Sequence, residues 1–494
     1  MKISISYPPL KSSKGIACLS QNRQFQWFSH PTYIYPVIPA YAASLLKNKG
    51  YAVMWDDAIA EELGFKQWKE RIVREKPDII AIETKTPVVK MHWKIINELK
   101  KEFSKFNPAN SGTKFVLMGD HVTALPKESL ENSKVDYVIA SGDYDFALLN
   151  LANHLSKGEA LEGGFWYRDN GGSIINSGPA DISKHNLDTL PLIDRKLTKW
   201  KMYGYKNGNF KHKPGAYMMS GRDCWWGRCT FCSWTTMFPG EKFRTMSAEK
   251  ALSEVENMIK LGAREIMEDS GSLPVGQWLK DFCRGMIERG YNKKMTMSCN
   301  MRITGIKDLE TWRLMKKAGF RFILFGLESA NQETLDRVCK NLKVSEIEPG
   351  LKLCKEGGLE PHITAMIGYP WETKEMAGKT IDLAKKLFKK GYVDTLQGTI
   401  VIPYPGTPLY KYCAENNLLL TKNYENYDQR QMVMKSSLSS SDVKDLVQGL
   451  YKSFASPQFI WRKIKSIRNM DDIKFLFMAG WKWMGKMMDF GNKK

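Results

Sequence analysis

Three cysteines lie close together in the run Gly221-Arg222-Asp223-Cys224-Trp225-Trp226-Gly227-Arg228-Cys229-Thr230-Phe231-Cys232. Three thiolates on one short loop can hold three irons of a [4Fe-4S] cubane and leave the fourth iron without a protein ligand. An open iron suits a cluster that activates a bound molecule, whereas a purely electron-transferring cluster is normally closed by a fourth Cys. The same three thiolates with a fourth ligand such as His212 could instead hold zinc. The loop alone leaves both possibilities open. The other six cysteines are scattered singly and read as reduced core thiols. Residues 1–10 read as a strand and a Pro-Pro turn, with no apolar leader, so a reducing cytoplasm is expected.

Polar residues follow several short apolar runs downstream of that loop. They are Glu268-Asp269-Ser270-Gly271, Ser298-Cys299-Asn300-Met301-Arg302, Gly326-Leu327-Glu328-Ser329 and Met366-Ile367-Gly368-Tyr369-Pro370. One such group alone usually means a cap or a turn. With Pro403-Tyr404-Pro405-Gly406-Thr407-Pro408 further on, five in succession behind a cysteine triad point to a site built from strand ends. Two further groups precede the loop: Gly119-Asp120-His121-Val122-Thr123 and Ser141-Gly142-Asp143-Tyr144.

The elements that must position these residues follow from the alternation of apolar runs. Strands are expected at 2–7, 52–56, 79–84, 114–118 and 137–140, with helices at 38–49, 65–75, 90–106, 124–132 and 144–155. This is a doubly wound parallel sheet, occupying residues 1–160. Its ligands would sit in the loops at 7–9, 84–87, 119–123 and 141–145. Residues 161–214 read as a linker with a small hairpin at Asn170-Gly171-Gly172. A second alternation fills 215–430, with strands at 216–220, 265–269, 295–300, 322–327, 362–368 and 395–402. Helices are expected between them at 248–261, 275–289, 309–318, 332–337 and 374–390. Six βα units imply a partial (β/α)6 barrel with its chemistry at the carboxyl ends of the strands. Residues 431–494 read as a helical, basic extension.

The second alternation resembles the radical SAM superfamily over roughly 215–408, and the whole chain is similar to its cobalamin-dependent branch. The family's usual spacing is Cys-x3-Cys-x2-Cys; here the first gap is one residue longer, and Gly227 lies within it. Phe231 before the last Cys matches the family. The resemblance implies a [4Fe-4S] cluster on Cys224, Cys229 and Cys232 that cleaves S-adenosylmethionine (SAM) reductively to a deoxyadenosyl radical. It assigns Asp269 and Ser270 to the SAM amino group. Asn300, Arg302, Glu328 and Ser329 fall to the carboxylate and ribose, and Gly368 lies beside the adenine. In the first domain it implies a Rossmann-like cobalamin-binding fold, with Gly119, Asp120, His121, Ser141 and Gly142 in the turns that approach the cofactor. Asp120 stands where the family's turn carries Pro, and the Asp-x-His-x-x-Gly motif of a cobalt-ligating His is absent, so cobalamin is expected without a protein His on cobalt.

The typical reaction of this branch is methyl transfer to an unactivated carbon; cyclisation and rearrangement are the alternatives. The substrate is open among lipids, pigments, peptides and small molecules, and an electron donor such as flavodoxin or ferredoxin is implied. A methylthiotransferase would need a second cluster, and only Cys18 precedes the triad. The net charge is +21, which could serve a nucleic acid, an anionic membrane or an acidic substrate, or simply solubility, since the Lys residues are spread over the whole chain. No RNA-recognition signature accompanies it, so an Fe-S or zinc nucleic-acid-binding protein is the weaker alternative. From Ser456 the tail carries nine Lys/Arg against three Asp, interleaved with Trp461, Trp481 and Trp483. A packed helical cap and a peripheral membrane contact are both consistent with it.

Overall fold

The computed structural model describes residues 1–19, 24–28, 30–106, 112–207, 209–238, 243–452, 457–467 and 469–489; Ser456 and the side chain of Trp483 lie outside the described residues. Two compact units form. The first comprises Met1–Lys206 with Cys232–Arg244 and Tyr404–Thr407, and the second comprises Asn207–Phe231, Thr245–Pro403 and Pro408–Lys494.

The sheet of the first unit runs Ala52–Asp57, Lys2–Tyr7, Ile79–Glu83, Lys114–Met118, Tyr137–Ile139, Phe165–Arg168, Ile174–Asn176. The first five strands are parallel and the last two antiparallel. Ile79, Ile80, Ala81 and Ile82 are all fully buried, as a parallel strand covered on both faces requires. Flanking helices bury one face each: in Phe65–Glu75 the buried residues are Trp68 and Ile72, four apart. Strand order reverses between Lys2–Tyr7 and Ile79–Glu83, which is where doubly wound sheets open a crevice for ligands.

The segment expected as a linker is more structured than its composition suggests. Phe165–Arg168 and Ile174–Asn176 form the expected hairpin, but it pairs with Tyr137–Ile139 and extends the sheet. The first unit therefore continues to Lys206 rather than ending near residue 160.

The second unit carries six parallel strands in chain order: Gly215–Met218, Glu265–Glu268, Thr296–Met301, Phe320–Glu328, Glu360–Ile367 and Thr395–Ile400. Among the described residues no ladder joins the first strand to the sixth, so the (β/α)6 arrangement is open. Two helices, Gln332–Arg337 and Val344–Glu356, connect the fourth strand to the fifth where one was expected. The helix Ser440–Lys452 packs on the sixth strand, where Tyr451 Oη donates to Gly398 O at 2.9 Å. The extension thus belongs to the second unit.

Candidate functional site

The cysteine loop leaves the first strand of the second unit through Asp223, whose backbone is left-handed (φ 70°). Trp226 Nε1 donates to Cys339 O at 2.7 Å, and Thr230 N donates to Val338 O at 3.1 Å. These bonds anchor the loop to the turn after the helix Gln332–Arg337. Trp225 and Trp226 both lie against the Arg302 guanidinium, with ring centroids at 5.4 and 4.7 Å. Arg302 also donates to Lys340 O and, at 3.1 Å, to Asn341 O.

Lys340 is the residue that sequence reasoning missed. Its ammonium is buried and pairs with Glu328 Oε1 at 2.8 Å. A bulge places Glu328 there: Gly326 pairs with Thr364 and Glu328 with Ala365, so Leu327 is extra, and Glu328 is left-handed (φ 64°). Gly326 leaves room for the pair, since a Cβ on it would lie 2.1 Å from Glu328 Oε1 and 2.5 Å from Lys340 Nζ and would displace one of these side-chain ends. No motif marks Lys340; it follows Cys339 and precedes Asn341, both left-handed, in a turn that only the fold brings to the loop.

Burial pushes the Cys229 thiol above the ordinary cysteine range, Lys340 and Arg302 draw it down, and Glu328 and Cys224 push it up. Two buried cations are therefore set to compensate a thiolate at Cys229. None of Cys224, Cys229 and Cys232 is in a disulfide. Phe231 is buried, and Cys232 opens the segment Cys232–Arg244, where its carbonyl accepts from Thr235 Oγ1 at 2.8 Å.

The remaining strand-end residues are buried and largely engaged with one another. Asn300 Nδ2 donates to Asp269 Oδ1 at 3.3 Å and to Ser270 O at 3.0 Å. Ser270 Oγ donates to Glu268 Oε1 and accepts from Gly221 N at 2.8 Å. Ser329 accepts from Asn331 N at 3.2 Å and is fully buried, which makes it a turn former. Gly368 N donates to Glu372 Oε2 at 2.7 Å, and burial raises the Glu372 carboxyl to about 7. Several buried atoms nevertheless have no protein partner: Asn300 Oδ1, Arg302 Nε, Glu268 Oε2, Tyr369 Oη and Glu372 Oε1. Unmatched donors and acceptors at the ends of these strands fit a polar ligand rather than a packed core.

In the first unit, Gly119 (φ 132°) lies against Thr84, where a Cβ would come within 2.0 Å of the carbonyl oxygen. Asp120 pairs with buried Lys85 at 3.1 Å. His121 is fully buried, with Nδ1 at 3.2 Å from Thr86 Oγ1 and Nε2 at 3.1 Å from Glu128. Both ring nitrogens of His121 thus have protein partners. Ser141 is buried, and Gly142 N donates to Met237 O at 2.7 Å. Beside them Asp143 receives both Arg244 Nη atoms, at 2.6 and 2.9 Å, and His185 Nδ1 at 2.8 Å. At the point where strand order reverses, Tyr7 Oη donates to Glu83 at 2.6 Å, and burial raises the Glu83 carboxyl to about 7.

Among the described residues no group of three His, Cys, Asp or Glu side chains is placed to hold a single metal ion, and His212 Nδ1 lies 3.4 Å from Asp471. Residues 218–384 match the Radical SAM superfamily. Those residues form a radical SAM domain. A curated relative, an uncharacterized methyltransferase of Pyrococcus horikoshii, is 29% identical over 85% of this chain and 87% of its own length. The anaerobic magnesium-protoporphyrin IX monomethyl ester cyclase of Rubrivivax gelatinosus is 24% identical over 85% of this chain and 73% of its own. The fold is that of the cobalamin-dependent SAM radical enzyme OxsB (TM-score 0.70, 15% identity, 99% of this chain and 72% of that one). It is also that of the radical SAM methyltransferase TsrM of Kitasatospora setae (TM-score 0.66, 16% identity, 92% and 85%). The likeness to OxsB covers 99% of this chain and so takes in both units.

Proposed function

We propose that this chain is a cobalamin-dependent radical SAM methyltransferase. The observation that carries it is the three-thiol loop, faced by Arg302 and Lys340, at the ends of strands whose buried polar atoms lack partners. When bound, the cluster supplies an electron to the SAM sulfonium, and cobalamin supplies a transferable methyl group.

Cys224, Cys229 and Cys232 are the protein ligands of the cluster. Arg302 and Lys340 hold positive charge beside Cys229 and so favour its thiolate. Asp269 accepts hydrogen bonds from the SAM amino group, with Asn300 Oδ1 as a further acceptor. Arg302 Nε is available to the carboxylate, Glu328 serves the ribose hydroxyls, and the turn at Gly368 faces the adenine. Phe231 and the two tryptophans exclude water from the loop. In the first unit Gly119, Asp120, His121, Ser141 and Gly142 form the turns toward cobalamin. The electron donor is a flavodoxin or ferredoxin of the cytoplasm. The cyclase relatives support a second reading, carbon–carbon ring closure with the same parts.

The test is metal content and turnover of protein reconstituted anaerobically with iron, sulfide and hydroxocobalamin and then desalted. About four irons per chain, about one cobalt, and 5′-deoxyadenosine on reduction with SAM are expected. Cys229→Ala should lose the iron and all SAM cleavage. Iron without cobalt would remove cobalamin from the proposal, and full turnover by Cys229→Ala would refute the ligand assignment.

A further inference from the structure

The helix Met470–Asp489 has two unlike faces. One is tied to the second unit: Asp472 pairs with Lys211 at 2.5 Å, Asp471 with Arg264 at 3.1 Å, and Phe475 lies 5.7 Å from the Arg321 guanidinium. The other presents Met470, Ile473, Phe477, Trp481 and Met484, spaced by three or four residues, and all five stand in solvent at 45–76% exposure. The helix Pro457–Lys465 repeats the arrangement. Its inner side holds Phe459 against Phe388 at 5.5 Å, Arg462 Nη1 donating to Lys389 O at 3.0 Å, and Lys463 on Asp394 at 3.0 Å. Its outer side leaves Ile460, Trp461 and Ile464 at 49–58% exposure.

A surface helix ordinarily buries its apolar stripe and turns its charges outward. Here anchoring is done largely by ion pairs and carbonyl contacts, and the apolar stripe is left outside. Most of the large exposed apolar side chains among the described residues lie between Ile460 and Met484. The charges around the stripe are cationic. Lys465 Nζ sits 5.0 Å over the Trp461 ring, and Lys474 is exposed between Ile473 and Phe477. The acids Asp471 and Asp472 are drawn inward into ion pairs.

We propose that these two helices lie on an anionic lipid bilayer, with the stripe at the headgroup–acyl boundary. An amphipathic pair with Trp on the apolar side and Lys beside it matches the chemistry of that boundary. Among the described residues no helix is long and apolar enough to cross a membrane, so the contact is peripheral. Charge complementarity selects an anionic lipid surface over a neutral one. The proposal stands independently of the reaction assigned above.

The test is flotation of the purified full chain with vesicles of phosphatidylcholine alone or doped with phosphatidylglycerol. Binding is expected to the anionic vesicles and to fall with added salt. Phe477→Asp with Trp481→Asp should weaken partition by at least about tenfold, with unchanged circular dichroism and unchanged SAM cleavage in solution. Lys465→Glu with Lys474→Glu should lose the preference for anionic lipid. Should the apolar double variant misfold, quenching of tryptophan emission by brominated acyl chains, reduced in Trp481→Phe, reads the same contact. No flotation with either vesicle, or equal flotation of a folded double variant, would overturn the proposal. So would concentration-dependent dimerisation abolished by that variant, which would assign the face to a second copy.

Discussion

Replacing Lys340 by Met removes the ammonium that neutralises Glu328 and keeps most of the side-chain volume. The pair is 2.8 Å apart and the two side chains are only 10% and 8% exposed. Breaking a buried pair by removing one partner costs about 3–5 kcal/mol, because the remaining charge is left without compensation. For a unit of this size that corresponds to a fall in Tm of roughly 6–20 °C. The measurement is thermal and urea unfolding of the metal-free chain, so that ligand binding does not add to stability. Glu328→Gln combined with Lys340→Met should regain most of the loss, to within about 1 kcal/mol of the parent. Iron retention should behave differently. Both variants lack the cation beside Cys229, so both should load iron more weakly although only one is unstable. A loss under about 1 kcal/mol in the single variant, the value of an exposed pair, would refute the reasoning. A double variant no more stable than the single would refute it equally.

Glu372 is ordinarily a carboxyl of about 4.5, raised by burial to about 7, so the folded chain holds its proton longer than the unfolded chain. Stability should therefore fall as pH rises from about 4.5 to about 7, and Glu372→Gln should flatten that part of a Tm-against-pH curve. His185 titrates in a higher window: burial opposes its charge, but Asp143 and Glu162 raise it to about 9. Its contribution should be complete below about 6.5 and gone as pH passes about 9, so His185→Gln should lower Tm at pH 6 more than at pH 10. Gly119→Ala should displace the backbone at Thr84 and reduce cobalt retention, measured by absorbance after desalting, while leaving iron content unchanged.

The strands were legible because each is a short apolar run bounded by a polar turn. The strand at Ile79–Glu83, buried on both faces, is the plainest case. Helix Val344–Glu356 was not legible, since Pro349 interrupts its period and argues against a helix interior, yet the structure accommodates it. The hairpin at Phe165–Arg168 was found, but its partner Tyr137–Ile139 is distant in sequence, and no local pattern states which edge a hairpin joins. The triad loop was legible from composition and spacing. The network behind it was not: Arg302 reaches the carbonyls of Lys340 and Asn341, and Glu328 reaches Lys340, through turns that carry no motif.

The bulge before Glu328 makes its position a matter of counting as well as chemistry. Side chains alternate from face to face along a strand, and the extra residue Leu327 sets the phase of the residues after it. A chain with Leu327 deleted would keep every functional group named here, yet would bring Glu328 round to the opposite face. Loss of one bland leucine should then cost more than replacement of the carboxylate itself. Variation in this segment should accordingly be written in substitutions and not in length.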